Sequence, residues 1–274
     1  MAFPHTIFGK FGMEKVVTSS KKHKLGTRME LPDGRVFYYA FSSGTIGAGK
    51  LAMQANHVNV KHIKDLSVLA AAATGATTIT YQHTGGTLTA NILNDGMVIV
   101  NDVDGEGVVY VIKSHSALAA TAASTATLVL EEDDGIAEAL TTNSQIGLRT
   151  NKFLDAELWD ASDIDGIALG VAPVEVVDNR YFWCQTWGSV ALLTEGTLIL
   201  GNVVVPTASK IGGVAHGVVD GAVIAMAVLA SHAATATSKL QPHVADQNVL
   251  APVGIVESVS ANSEYSLIFL TVAR

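Results

Sequence analysis

The apolar positions of this chain fall into short runs that either alternate with polar residues or are apolar throughout. Seven stand out: "RVFYYAF" (35–41), "ATTITYQH" (76–83), "GMVIVNDV" (96–103), "GVVYVIKS" (107–114), "ATLVLEE" (126–132), "GTLILGNVVV" (196–205) and "YSLIFLTV" (265–272). They are rich in β-branched and aromatic residues, the pattern of half-buried or core strands. Turn signals lie between them. Asp-Gly occurs at Asp33-Gly34, Asp95-Gly96, Asp104-Gly105, Asp134-Gly135, Asp165-Gly166 and Asp220-Gly221. Both residues tolerate the positive φ that tight hairpins need. Helical spacing is scarce. Residues 61–73 ("KHIKDLSVLAAAA") and 116–125 predict short helices, and "DGAVIAMAVLASHAA" from Asp220 fits either state. The pattern therefore predicts a mainly β protein of two antiparallel modules, sandwich or barrel-like.

Charge divides the chain. Residues 1–64 hold 10 Lys/Arg against 3 acids, whereas residues 65–274 hold 7 against 22. A segment near +7 thus precedes a body near −15. This predicts an extended basic N-terminal arm over 1–64 with one hairpin at Asp33-Gly34. A first β module with an acidic connector, opened by "EEDDG" (131–135), fills 65–165, and a second β module fills 166–274. The second module holds a weak internal echo. Residues 170–186 align without gaps on 254–270, with Gly170 over Gly254 and Tyr181 over Tyr265.

Charged residues are only 15% of the chain and apolar ones 49%. The usual charged share is about 25%, so the surface suits contact with other protein; a plain Ala/Val-rich β protein is the alternative. No apolar run approaches the roughly 20 residues of a membrane span. The N-terminus lacks the basic-then-apolar order of a signal peptide, so cytosolic synthesis is expected. The single Cys184 excludes an internal disulfide and a cysteine-based zinc site.

Candidate chemistry is thin. "GTIGAGK" (44–50) matches half of a phosphate-binding loop, but Leu51 stands where a magnesium-binding hydroxyl belongs. The nine histidines form no H-E-x-x-H and read as scattered surface or turn residues. The acidic "DVDGEG" (102–107) fails as a calcium loop, because position twelve from Asp102 is Lys113 instead of a bidentate Glu. Asp163 and Asp165 leave room for a structural cation, although a solvated turn explains them. No G-x-S-x-G elbow occurs. The reading is a non-enzyme without catalytic residues, cofactor or metal.

The arm carries Lys15, Lys21, Lys22, Lys24 and Arg28, and acidic surface on a neighbouring copy or an assembly is their expected partner. Direct nucleic-acid binding is not expected, since the acidic body repels phosphate and the arm has few stacking aromatics. Tyr181, Phe182, Trp183 and Trp187 form a patch that is either core or interface.

The stretch "LGTRMELPDGRVFYYAFSSGTIGAGKLA" (25–52) resembles the N-terminal region of structural proteins of tailed bacteriophages, marine ones in particular. The matching residues are Asp33, Gly34, Arg35, Phe37, Tyr39 and Ala40 in a D-G-R-x-F-x-Y-A hairpin. "DGMVIVNDVDGEGVVYVI" (95–112) and "NRYFWCQTWG" (179–188) extend the similarity to about a quarter of the chain. The resemblance implies a capsid decoration or cement protein on the outside of a virion. Its partners would be the major capsid protein and copies of itself, often as trimers. Rival readings are a major capsid protein, a head-fibre or tail host-binding module, and a virion-associated glycan hydrolase using Asp160, Asp163 and Asp165.

Overall fold

The structure is a computed structural model and describes residues 6–54, 62–84, 86–118, 124–160, 167–207, 210–217 and 251–274. Among the described residues strand accounts for 48% and helix for 1%, so the fold is mainly β. No helix among the described residues is long and apolar enough to cross a membrane.

The strands build two sheets. The larger takes strands from both ends of the chain: β1 (Thr6–Phe8), β2 (Arg28–Glu30), β3 (Val36–Phe41) and β4 (Lys50–Gln54), then a second group that begins after residue 155. The smaller holds β5 (His62–Ser67), β6 (Thr78–His83), β7 (Met97–Asp102), β8 (Val109–His115), β9 (Ser124–Leu130) and β10 (Gln145–Arg149), in the order β5-β10-β7-β8-β9-β6. It is a module inserted between β4 and the strand that pairs with it, β11 (Ala156–Leu158), where Gln54 lies opposite Ala156. The cores follow this division. One cluster around Tyr81, Tyr110, Ile112 and Leu128 draws all its buried members from residues 66–148. The other clusters draw theirs from the flanking segments.

This arrangement corrects the expected arm. Residues 6–54 are not extended but form four strands of the larger sheet. The reason is β3, in which Val36, Phe37, Tyr39 and Ala40 are buried. It finds its partner far along the chain in β13 (Tyr181–Glu195), with Phe182 opposite Ala40 and Trp183 opposite Tyr39. The expected module boundaries at 65 and 166 shift accordingly to an insert over 62–149 within a discontinuous body.

The body also holds β12 (Ala168–Ala172), β14 (Val203–Pro206), β15 (Val214–His216), β16 (Gly254–Val256) and β17 (Tyr265–Thr271). Strands β13, β15, β14, β16 and β17 close into a five-stranded barrel through the β13–β17 pairing. The sequence echo has a counterpart in register. Val171 lies opposite Gln185 in the β12–β13 pair, and Ile255 lies opposite Phe269 in the β16–β17 pair. Both residues of the second pair sit 84 positions after those of the first.

Two further expectations change. The described part of 61–73, residues 62–73, is not helical: β5 occupies 62–67, and Val68 and Ala72 form isolated bridges to Tyr81 and Leu140. Ile63 and Leu66 keep helical spacing because the strand bulges. They face Leu148 and Ile146, two residues apart, while Asp65 between them adopts φ 58°. An extra residue in a bulge imitates an i, i+3 pattern. In 116–125, Leu118 bridges Leu88 and Ser124 opens β9, and residues 119–123 lie outside the described residues, as does 218–250 with the run after Asp220. Of "GTLILGNVVV", only Val203 onward is strand.

Candidate interaction surfaces

The basic residues of the N-terminal segment meet acids of their own chain. The Lys21 ammonium lies 2.6 Å from Asp95 Oδ2, and the Lys24 ammonium lies 2.5 Å from Glu131 Oε1. Both acids belong to the insert. Asp95 Oδ2 also accepts the Leu25 N–H at 3.1 Å, and Asn151 Nδ2 donates to the carbonyls of Leu25 (3.2 Å) and Asp95 (2.8 Å). Together with Ile92, which packs against both cores, these contacts fasten the insert to the body. Arg28 pairs with Glu30 at 2.8 Å. The charge asymmetry of the sequence is thus partly spent inside the molecule. Lys24 is largely exposed, so its pair is worth about 0–1 kcal/mol, and the half-buried Asn151 network is the firmer part of the clamp.

Lys15 and Lys22 are exposed and form no ion pair among the described residues. Lys22 gives its backbone N–H to Tyr39 Oη at 3.0 Å. Lys15 borders a groove of about 490 Å3 with Glu14, Arg35, Gln185, Tyr265 and Leu267. Glu14 is buried there, accepting the Gly12 N–H at 2.6 Å with Arg35 at 3.8 Å.

The aromatic patch divides across β13. Phe182 and Trp183 are buried on opposite faces, in separate clusters. Trp183 packs on Tyr39 with ring centroids 5.0 Å apart, and Tyr39 stacks on Tyr181 at 5.7 Å. Tyr181 and Trp187 are half-buried. The Arg274 guanidinium lies 5.4 Å from the Trp187 ring. Burial pushes the Cys184 thiol up to about 12, which leaves it protonated and inert.

The motif candidates resolve into structure. In 44–50, Ile46 bridges Val176 and Lys50 opens β4, so the stretch connects strands and precedes no helix. In 131–135, Glu131 holds Lys24, Glu132 holds Lys113, and Asp134 accepts the Val111 N–H at 2.6 Å. Asp160 is half-buried, while Asp163 and Asp165 lie outside the described residues. Among the described residues no group of three His, Cys, Asp or Glu is placed to hold a metal.

Two histidines differ from the expected surface placement. His83 and His115 point into the insert's core and are 0% and 5% exposed. The inward position of His83 follows the alternation of β6, which was the available signal in "TITYQH", whereas His115 turns inward because β8 bulges between Ile112 and Ser114, which the alternation in "VYVIKSH" does not show. His115 Nδ1 lies 2.8 Å from the Ser116 carbonyl, and Nε2 accepts the Leu93 N–H at 3.1 Å. That pairing requires a neutral ring with Nδ1 protonated. Burial lowers its pKa below the ordinary 6.5. A histidine depressed on folding contributes stability above its unfolded value and loses it as pH falls toward the folded value. The melting temperature is therefore expected to fall as pH drops from 7 to 5, with a shallower fall in His115→Gln; equal slopes would contradict this account.

The remaining outward faces are unusually apolar. On the insert, Met97 and Ile99 lie opposite Val111 and Val109, and Met97, Ile99 and Val109 are exposed. On the barrel, Phe269 lies between Ser189 and Ile255, with Ala191 opposite Leu267 beside it. Ile255, Leu267 and Tyr265 are each at least 40% exposed. Phe8 and Phe11, near the β1 edge, are 80% and 63% exposed. Solvated strand faces ordinarily carry polar residues, and apolar residues grouped in register mark contact surfaces. Compared with protein-family models, curated proteins and solved structures, the chain matches none.

Proposed function

We propose that the protein is a non-enzymatic structural protein of a tailed-phage virion that decorates the capsid and stabilises it through symmetric contacts with the major capsid protein and with its own copies. The observation that carries this reading is the set of outward strand faces bearing Met97, Ile99, Val109, Ile255 and Leu267, on a chain with few charges. The D-G-R-x-F-x-Y-A resemblance supplies the virion context, and its residues build β3 and the turn before it. Adhesion needs broad, rigid, weakly polar faces instead of a reactive cleft, and many modest contacts repeated by symmetry give high avidity. A sugar-reading fibre module, which would need exposed Trp159, Trp183 and Trp187, fits less well, because Trp159 and Trp183 are only 2% and 4% exposed and Trp187 is half-buried beside Arg274.

The test is co-sedimentation of the purified chain with assembled shells of the major capsid protein from the same source. Saturable binding, with shells that resist heat or chelation better when coated, is the expected result. Shells that pellet without the chain at micromolar concentration would overturn the reading.

A further inference from the structure

A cleft of about 500 Å3 opens at the junction of insert and body. Its apolar wall is Leu25, Met97, Phe153 and Ile167, and its polar wall carries Arg149 and Lys152. Arg149 touches the Gln54 side chain only at 3.5 Å, and the Lys152 ammonium sits 5.6 Å from the Phe153 ring centre. Neither cation meets an acid among the described residues. The cleft thus offers two unneutralised positive charges beside an oily floor in which Met97 and Ile167 remain 48% and 46% exposed.

The far end of β7 shows the complementary chemistry. The β7–β8 turn, residues 102–107, exposes Asp102, Asp104 and Glu106 around Val103, itself 43% exposed. None of these acids meets a cation among the described residues. Val103 adopts φ 67°, which is a genuine outlier for a β-branched side chain. The turn is nonetheless firmly held. Thr141 Oγ1 donates to Asp104 Oδ2 at 2.7 Å, Ser144 Oγ donates to the Asp104 carbonyl at 2.9 Å, and Glu106 N–H returns to the Val103 carbonyl at 3.3 Å. Gly105 presses so closely on Leu140 that a Cβ would lie 2.7 Å from Cδ2. The turn therefore displays an apolar side chain among carboxylates on a fixed backbone.

We propose that the acidic, Val103-tipped turn of one copy docks into the Arg149–Lys152 cleft of a second copy. The pairing deepens the self-association part of the proposed function and rests on it. Within one chain the two features sit at opposite ends of β7. Five strand steps separate Met97 in the cleft from Asp102 at the turn, roughly 17 Å, so they engage only between molecules. Carboxylates meet the free cations, Val103 meets the Met97–Phe153 wall, and the fixed turn loses little entropy on docking. The contact is head-to-tail, and such contacts repeat into a closed ring where the rotation closes and into a filament where it does not.

The test uses the full chain without shells, by light scattering and sedimentation across concentration. Wild type is expected to self-associate, less so in high salt. D102K/E106K and R149E/K152E are each expected to weaken association on the order of a hundredfold, with unchanged thermal melting. The chain carrying all four reversals is expected to associate again, since its turn and cleft have exchanged signs. K152E alone serves if R149E disturbs the fold. A monomeric wild type, undiminished association in D102K/E106K, or a folded four-reversal chain that stays monomeric would each overturn the pairing. Shell binding is measured separately, so the failure of one reading is distinguishable from the failure of the other.

Discussion

A chain lacking residues 1–30 is expected not to fold. A detachable arm would leave an intact body, but the structure places core in this segment. Met29 is 0% exposed and Leu25 8%, packed with Phe37, Tyr39, Leu154 and Trp183. Removing a buried Leu or Met side chain costs about 2–5 kcal/mol. Deletion removes both, together with the β2 pairing to β3 and the Lys21 and Lys24 contacts to the insert. The combined loss, on the order of 5 kcal/mol or more, matches the total stability of many domains. Circular dichroism and solubility of the truncated chain check this. A soluble truncation with a cooperative, near-wild-type melt would show that the segment is dispensable to the body.

Gly170→Ala is expected to destabilise the body by about 4 kcal/mol, combining overpacking with a strained backbone. Gly170 has φ 147°, and a Cβ there would lie 2.1 Å from the Gln185 carbonyl oxygen. The obstacle is backbone, which cannot rotate away, so β12 would have to part from β13. Gly254, its counterpart in the echo, would place a Cβ 2.5 Å from the Phe269 carbonyl oxygen. Gly254→Ala is therefore expected to loosen β16 from β17 in the same way. Chemical denaturation of the two variants measures the effect. A loss below about 1 kcal/mol at Gly170 would mean that the close β12–β13 approach is not a feature of the folded protein.

Local structure was legible in the sequence, and its long-range assembly was not. Strands β3, β6, β7 and β17 fall within runs that alternation and β-branched composition identify, and β8 and β9 overlap theirs to within two residues, because those signals are local. The pairing of β3 with β13 joins residues about 140 positions apart, and nothing in "RVFYYAF" names that partner. Without it, a basic N-terminal segment reads as an arm. The same pairing reassigns Lys21 and Lys24 from a neighbour's surface to Asp95 and Glu131. The β5 bulge at Asp65 disguised a strand as a helix, and β10 was hidden in what reads as a connector, since "QIGLR" is short and interrupted by Gly147. The echo of 170–186 in 254–270 was faint in identities yet coincides with a shared pairing register, because the close approach at Gly170 and Gly254 fixes residue size more tightly than the neighbouring apolar positions are fixed.

For the candidate site, the sequence located the acidic turn 102–107 but not its chemistry. Its spacing showed only that it fails as a calcium loop, whereas the backbone of Val103 and the contacts from Thr141 and Ser144 are tertiary facts. The Arg149–Lys152 cleft has no local signature, being assembled from the N-terminal segment, β7, β10 and Ile167. The apolar outward faces were foreshadowed only as a low charged fraction, which gives an amount without a location.

The measurement that bears most directly on a virion structural role is the copy number of this chain in purified particles from its source, by quantitative mass spectrometry against the major capsid protein. The decoration reading predicts hundreds of copies per particle, near a simple ratio to the shell protein. Absence of the chain from the particles, or a handful of copies in each, would contradict it.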